Sequence, residues 1–280
     1  MIYVPTITQP PDKWTALHGN DCITRPRTTP VPLTYHISVV PKPFRGVKFD
    51  WYDASTFEGV FTADPNIDRI YLVAPAATSE VFPPMKPFID LAVQKGVRRF
   101  VLLSATTMTD GYPLMGPKVH EYLLSLNVDY AVLRPSWFFE NFSTQQLPSI
   151  KERNTIVGFV SAADIADVAV SALTDEKSHN ADHIITGPEL LSYDDVCPIF
   201  LLYIPPELIV LGRKITHTRI TAEELKKRYL SFGLPEGFAG MLLSLYELKA
   251  KDDEEEIFNA KKVTGKRTLR SFVEANRDRF

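Results

Sequence analysis

The chain has 280 residues, 45% hydrophobic and 23% charged, a composition typical of a globular protein with one sizeable core or a core and a smaller domain. A formal charge of −3 and a pI near 6.1 argue against nucleic acid or an anionic membrane surface as the main partner. The most apolar run, residues 196–212, is interrupted by Pro205, Pro206 and Glu207, so we predict no transmembrane segment. We expect no signal peptide either, because residues 1–14 lack a basic region followed by an apolar run.

The two cysteines, Cys22 and Cys197, lie far apart and have neither metal-ligand nor redox spacing. We therefore predict no metal site. Isolated cysteines fit the reducing conditions of the cytoplasm, where we expect the protein to be found. The sequence leaves the oligomeric state open.

An irregular, proline-rich segment is predicted at residues 1–45, which hold eight of the 22 prolines and show no sustained helical period. Within it, only TYHISVV (34–40) has the alternation and β-branching of a strand.

Strands and helices alternate regularly from residue 47 onward. The predicted strands are VKFDW (47–51), RIYLVAP (69–75), RRFVLLSA (98–105) and DYAVLRP (129–135). The helices between them are expected to begin at Ser55 or Thr56, at Pro84 and at Pro117, and Gly96 is expected to end the second helix. Apolar strands alternating with helices predict an α/β fold with a doubly wound parallel sheet, in which RRFVLLSA lies between RIYLVAP and DYAVLRP.

The pattern becomes less regular after residue 142. Residues 143–280 predict a smaller α+β lobe, and residues 160–190 are expected to return to the sheet domain. Three helix starts in this part carry capping boxes: Ser161 with Asp164, Ser192 with Asp195, and Thr221 with Glu224.

Three strand exits carry the residues best suited to bind a ligand. They are YLVAP (71–75), LLSAT (102–106) and VLRPSWFFENF (132–142). Parallel strands end at a common edge of the sheet, where open α/β sheets bind ligands. We therefore predict a crevice lined by Pro75, Ser104, Pro135, Trp137 and Phe138, with Asn141 nearby. The alternative interpretation makes Ser104 and Thr106 ordinary turn residues and Trp137, Phe138 and Phe139 core aromatics.

A set of motifs in residues 47–280 indicates a family. In chain order these motifs are FDWYDASTF, YLVAP, KGVRRFVLLSA, GPKVHEYL, LRPSWFFENF, FVSAADIADVA, GPELLSYDDV and LGRKITH. With them the chain resembles the festuclavine/agroclavine dehydrogenases of fungal ergot-alkaloid biosynthesis, which belong to the NmrA-like, atypical short-chain dehydrogenase group. The resemblance implies a partial Rossmann-like NAD(P)-binding domain over residues 46–142 and a substrate-side lobe over residues 143–280.

The resemblance also implies an activity, the NADP(H)-dependent reduction of a cyclic clavine iminium to an amine, with an indole alkaloid as the small-molecule substrate. The cofactor would contact Asp50, Val73, Ala74, Pro75, Ser104, Lys118 and Pro135, and the substrate would contact Trp137, Phe138 and Asn141. No catalytic residue is assigned. Lys118 opposes the dipole of its helix, which suits a phosphate contact, although a solvated lysine is the alternative. For His120, near the same helix start, a structural role is the alternative to an active-site role.

The chemistry of an iminium explains why one motif of carbonyl-reducing enzymes is not needed. No Tyr-x-x-x-Lys occurs in the sequence, so the usual proton donor of carbonyl reduction is missing. An iminium carbon is already cationic and accepts hydride without a proton donor, so orientation becomes the main task of the protein. The aromatic residues Trp137, Phe138 and Phe139 suit an indole-bearing cation. Glu140 or Asp164 is a candidate countercharge.

The family's phosphate-binding loop has no counterpart in this sequence. The family begins with a strand and a glycine-rich turn into a helix, which holds the pyrophosphate. Before residue 47, glycine occurs only at Gly19 and Gly46, and neither follows a strand and opens a helix. We therefore expect impaired NADP(H) binding and reduced or absent activity, with TYHISVV as the best substitute strand. The alternative function is that of a non-catalytic NmrA-like protein that senses a dinucleotide or binds a partner.

Overall fold

A computed structural model describes residues 6–7, 14–15, 47–75, 78, 80–106, 117–144, 156–202, 221–231, 233–249, 254–259 and 263–276. Its strands are β1 (Thr6–Ile7), β2 (Trp14–Thr15), β3 (Arg69–Leu72), β4 (Arg99–Leu103), β5 (Asp129–Pro135), β6 (Ile156–Val157), β7 (Ala181–Thr186), β8 (Leu191–Ser192) and β9 (Val263–Thr264). Its α-helices are α1 (Phe57–Ala63), α2 (Phe82–Gln94), α3 (Pro117–Ser125), α4 (Asn141–Thr144), α5 (Ala162–Thr174), α6 (Tyr193–Leu201), α7 (Ala222–Ser231), α8 (Glu236–Lys249), α9 (Glu254–Asn259) and α10 (Leu269–Ala275).

In the described part of the chain, the main sheet has five strands in the order β3-β4-β5-β7-β9. β3 pairs parallel with β4, β4 pairs parallel with β5, and β7 pairs parallel with β9. The predicted neighbours RIYLVAP, RRFVLLSA and DYAVLRP are therefore confirmed in both order and direction. Two smaller antiparallel pairs, β1 with β2 and β6 with β8, accompany this sheet.

The predicted strand VKFDW is wrong, because residues 47–50 have no regular structure. Its apolar residues are buried as expected, and Phe49 and Trp51 pack against Phe88 with ring centroids 4.8 and 5.6 Å away. A strand also needs a partner for its backbone groups. Within the described ranges no strand pairs with this segment, and the Asp50 N–H donates instead to Thr56 Oγ1. TYHISVV, the predicted substitute strand, lies outside the described residues.

Helix ends follow the sequence signals in most places. α2 has proline in its first turn and is followed by Gly96, whose φ of +95° is the left-handed conformation that favours glycine. The predicted capping boxes at Ser192–Asp195 and Thr221–Glu224 are confirmed. Thr56, one of the two predicted residues, stands at the N-cap of α1, but its side chain makes no capping bond there. Asp53 instead caps the 3-10 turn that leads into the helix.

The chain divides into two compact units, residues 1–133 with 168–182 and residues 134–167 with 183–280. The first unit has a core around the fully buried Phe88, Phe100 and Leu102. The second has a core that includes Phe139, Phe142, Phe159 and Tyr193. No helix in the described part of the chain is long and apolar enough to span a bilayer.

Candidate functional site

The carboxyl ends of β3 and β4 bring together four of the predicted cofactor residues in the first unit. Leu72 pairs with Leu102 in the parallel ladder, so Val73, Ala74 and Pro75 leave β3 beside the end of β4. The Ser104 N–H donates to the Leu133 carbonyl over 2.7 Å and extends the next ladder by one residue. Val73, Ala74 and Ser104 are half-buried and Pro75 is buried. This edge is where a doubly wound sheet binds its ligands.

The carboxylate of Asp50 takes part in a local turn. Its Oδ1 accepts the Tyr52 N–H over 2.9 Å, and the side chain is half-buried. This bond orders the chain before α1. The assignment of Asp50 to the cofactor therefore stays a prediction from the sequence.

The polar residues at the start of α3 have different surroundings. Lys118 is exposed, and its phosphate contact stays a prediction. His120 Nε2 lies 3.3 Å from Asp182 Oδ1, and the His120 ring centroid lies 5.9 Å from that of Tyr130. These contacts connect α3 with β5 and β7, which favours the structural interpretation of His120.

In the second unit, backbone hydrogen bonds fix the exit segment (residues 136–141) that follows β5. The Ser136 N–H donates to the Ile185 carbonyl over 2.9 Å. The Phe139 N–H donates to the Val160 carbonyl, and the Val160 N–H donates to the Trp137 carbonyl, each over 2.9 Å. The exit segment is therefore held both by β7 and by the chain that leads into α5.

The aromatic residues of the exit segment differ in burial, since one is a core side chain and the others are partly accessible. Phe139 is fully buried and packs against Phe272, with ring centroids 5.5 Å apart and the rings tilted by 33°. The expectation that Phe139 contributes to a cation site is wrong, because a core side chain has no face left for a ligand. Trp137, Phe138 and Asn141 are half-buried and stay predicted substrate residues, and Pro135 is buried.

The carboxylate of Asp164, one of the two candidate countercharges, is already paired with a cation of the protein. It is 4% exposed, and its carboxylate accepts the backbone N–H and the guanidinium of Arg267. A Cβ on Gly265 would lie 2.5 Å from Asp164 Oδ2, so glycine is needed for this close approach. The predicted box with Ser161 is replaced, because Ser161 Oγ accepts the Ala163 N–H while the carboxylate of Asp164 is bound by Arg267.

Glu140, the other candidate countercharge, caps helix α5. Its Oε1 and Oε2 both accept the Ala162 N–H, at 3.1 and 3.0 Å. Burial raises the pKa of the Glu140 carboxyl, and the charge of Asp164 adds to this rise, while hydrogen bonds from the Ala162 N–H and the Ser161 hydroxyl oppose it. Neither this cap nor the Asp164–Arg267 pair could be predicted from the sequence, because each joins residues that are far apart in the chain.

No metal centre emerges from the described ranges, since no group of three or more His, Cys, Asp and Glu side chains there is placed to hold an ion. The shared crevice of Pro75, Ser104, Pro135, Trp137 and Phe138 stays a prediction, because it requires residues of both units.

Comparison with solved structures defines the fold class. The chain is similar to a nucleoside-diphosphate-sugar epimerase of Staphylococcus aureus, with a TM-score of 0.63 and 17% identity over 85% of this chain and 88% of that one. It is also similar to an NADPH-dependent quinone oxidoreductase of Escherichia coli, solved with NADPH, with a TM-score of 0.62 and 16% identity over 83% of each chain. The fold is therefore a Rossmann-like doubly wound parallel sheet, as predicted.

Comparison with known sequences defines the family. No family model matches the chain. It is 41% identical to agroclavine dehydrogenase of Claviceps fusiformis over 82% of this chain and 83% of that protein. It is 37% identical to festuclavine synthase I of Penicillium roqueforti over 85% of this chain and 86% of that protein, and 40% identical to festuclavine dehydrogenase of Aspergillus fumigatus over 80% of each. The chain belongs to the agroclavine and festuclavine dehydrogenase family.

Proposed function

We propose that the protein is an NADP(H)-dependent oxidoreductase that reduces a cyclic clavine iminium to an amine. The observation that carries this proposal is the identity of 37–41% with agroclavine and festuclavine dehydrogenases over most of the chain. The half-buried Trp137, Phe138 and Asn141, fixed on a hydrogen-bonded segment, support it further.

The chain's own residues suit a reaction that needs orientation more than proton transfer. NADPH supplies the hydride when it is bound. The sequence has no Tyr-x-x-x-Lys, and an iminium carbon accepts hydride without a proton donor. Trp137 and Phe138 offer aromatic faces to an indole-bearing cation, which benefits from cation–π attraction of about 0.5–2 kcal/mol.

For the cofactor, we propose Val73, Ala74, Pro75 and Ser104 at the carboxyl ends of β3 and β4 as contacts, with Asp50, Lys118 and Pro135 as further candidates. The glycine-rich turn that holds the pyrophosphate in the family does not occur before residue 47 of this sequence. Hydrogen bonds to charged groups contribute about 1.5–3 kcal/mol each, so losing two weakens binding by about a hundredfold or more. We therefore propose that cofactor binding limits the activity of this chain.

A non-catalytic role is the second candidate, and the missing glycine-rich turn favours it. An NmrA-like protein that binds a dinucleotide weakly and acts through a partner does not need turnover.

Turnover separates the two candidates. The 280-residue chain is incubated with a clavine-type cyclic iminium and an excess of NADPH, and formation of the amine is followed by mass spectrometry. If the protein is an oxidoreductase, we expect the amine to form slowly, at a rate that keeps rising with NADPH concentration. If no amine forms even at NADPH concentrations that saturate binding, the non-catalytic role is supported.

A further inference from the structure

We propose that Glu140 is a positioning residue that holds Trp137, Phe138 and Asn141 in place by binding the backbone of Ala162 at the start of α5. The role of these three side chains toward a substrate rests on the proposed function, whereas the positioning itself does not.

Glu140 extends a short stretch of backbone pairing between the exit segment and the chain that leads into α5. The bridge between Phe138 and Val160 supplies two backbone hydrogen bonds, at 2.9 Å each. Two residues further along each of these two segments, the carboxylate of Glu140 accepts the Ala162 N–H. This side-chain hydrogen bond thus joins the two segments just after their backbone hydrogen bonds end. Glu140 is thus the last connection before α4 begins at Asn141.

Helix α5 depends on Glu140 for one of the hydrogen bonds at its amino end. A helix start leaves its first N–H groups without partners inside the helix. Ser161 Oγ accepts the Ala163 N–H, and the Ser161 carbonyl accepts the Asp164 N–H. The Ala162 N–H is bound by Glu140, which lies 22 positions earlier in the chain. The helix cap therefore depends on the exit segment, and the exit segment depends on the cap.

The side chains around Glu140 differ in how far they are buried. Phe139 and Phe142 flank Glu140 and are buried at 0% and 1% exposure. They fix the exit segment from the core side, and Glu140 fixes it from the α5 side. The backbone that carries Trp137, Phe138 and Asn141 is then fixed on both sides, while these three side chains remain half-buried. A rigid aromatic surface loses little entropy when it binds a ligand.

The surroundings of Glu140 favour the neutral form of its carboxyl group over the charged form. Burial and the carboxylate of Asp164 on α5 raise the pKa of Glu140, and Arg267, which precedes α10, is engaged by Asp164 and Asp167. A neutral side chain of the same shape can make the same bond to Ala162. The positioning role therefore depends on the acceptor oxygen and not on the negative charge.

The test compares three variants, Glu140→Ala, Glu140→Gln and Glu189→Ala. Glu189 is the matched control, because it is also a half-buried glutamate in the second unit that accepts the first N–H of a helix, Leu269 of α10, over 3.1 Å. Residue-resolved amide hydrogen exchange is measured at Phe139, Val160 and Ala162. We expect Glu140→Ala to speed exchange at these three amides about tenfold or more, Glu140→Gln to restore slow exchange, and Glu189→Ala to leave all three unchanged.

A second readout connects the positioning to the substrate. With the clavine iminium, we expect Glu140→Ala to raise KM about fivefold or more and to leave kcat within about twofold, while Glu140→Gln behaves like the unsubstituted chain. Unchanged exchange in Glu140→Ala, or a Gln variant as fast in exchange as the Ala variant, overturns the positioning role. If exchange responds as expected while the unsubstituted chain shows no turnover, the positioning role stands and the proposed function fails.

Discussion

The guanidinium of Arg99 donates to the carbonyl oxygen of Asp175 over 2.6 Å, just beyond the carboxyl end of α5. The same side chain reaches the carbonyls of Leu173 and Glu176, and it is 6% exposed. The last carbonyls of a helix have no partners inside the helix, and a cation also compensates the dipole there. Arg99 therefore fixes the end of α5 at the amino end of β4.

Replacing Arg99 by Ala is expected to destabilise the protein by about 2–4 kcal/mol, because several buried carbonyl groups lose their donor. The measurement is the free energy of unfolding in urea. Arg98→Ala is the matched control, since Arg98 is the adjacent residue and is exposed, and it should change stability by less than about 0.5 kcal/mol. Equal effects of the two substitutions would contradict the assigned role of Arg99.

Glu140→Gln is expected to change the pH dependence of stability. The pKa of Glu140 is raised above its ordinary value of 4.5 in the folded protein, so the folded state holds this proton to a higher pH than the unfolded state does. The stability that protonated Glu140 contributes is fully present below the unfolded pKa and is lost as the pH rises through the folded pKa. The Gln variant has no such loss.

The free energy of unfolding of both proteins, measured in urea from about pH 4 to pH 8, checks this prediction. The stability of Glu140→Gln relative to the unsubstituted chain should increase as the pH rises above 4.5 and then become constant. A relative stability that falls over this range would mean that the fold favours the charged form of Glu140.

Much of the first unit could be predicted from the sequence, because the signals there are local. RIYLVAP, RRFVLLSA and DYAVLRP are apolar runs bounded by helices, and their parallel order follows from that alternation. VKFDW has the same apolar pattern, but a strand forms only where a neighbouring strand pairs with its backbone N–H and C=O groups. An apolar run therefore predicts that its residues are buried, but it does not predict which strand they pair with.

The candidate site was less predictable, because its organising contacts are long-range. Periodicity cannot show that Glu140 caps a helix that begins 22 residues later. It also cannot show that Arg267 binds Asp164, 103 positions away, in preference to a local capping box. Consecutive aromatics such as Phe138 and Phe139 carry no signal of which one faces the core.

Neighbouring phenylalanines in the exit segment should therefore respond differently to truncation. Phe139→Leu removes part of a fully buried ring and should lower the free energy of unfolding by about 1–3 kcal/mol. Phe138→Leu, at a half-buried ring, should lower stability by less and raise KM for a clavine iminium. Urea unfolding and steady-state kinetics on both variants measure the two effects. A large stability loss in Phe138→Leu with unchanged KM would place Phe138 in the core and remove it from the substrate residues.

We propose that this chain is an NADP(H) oxidoreductase of the clavine type whose cofactor binding is weakened by the missing glycine-rich turn. The most direct measurement is a titration with NADPH, followed by nicotinamide fluorescence, on two proteins. One is the 280-residue chain, and the other carries a family-like strand, glycine-rich turn and helix in place of residues 1–45. We expect little or no binding by the first protein and restored binding, at least about a hundredfold tighter, by the second. Micromolar or tighter binding by the 280-residue chain, or no gain in the restored protein, would contradict this proposal.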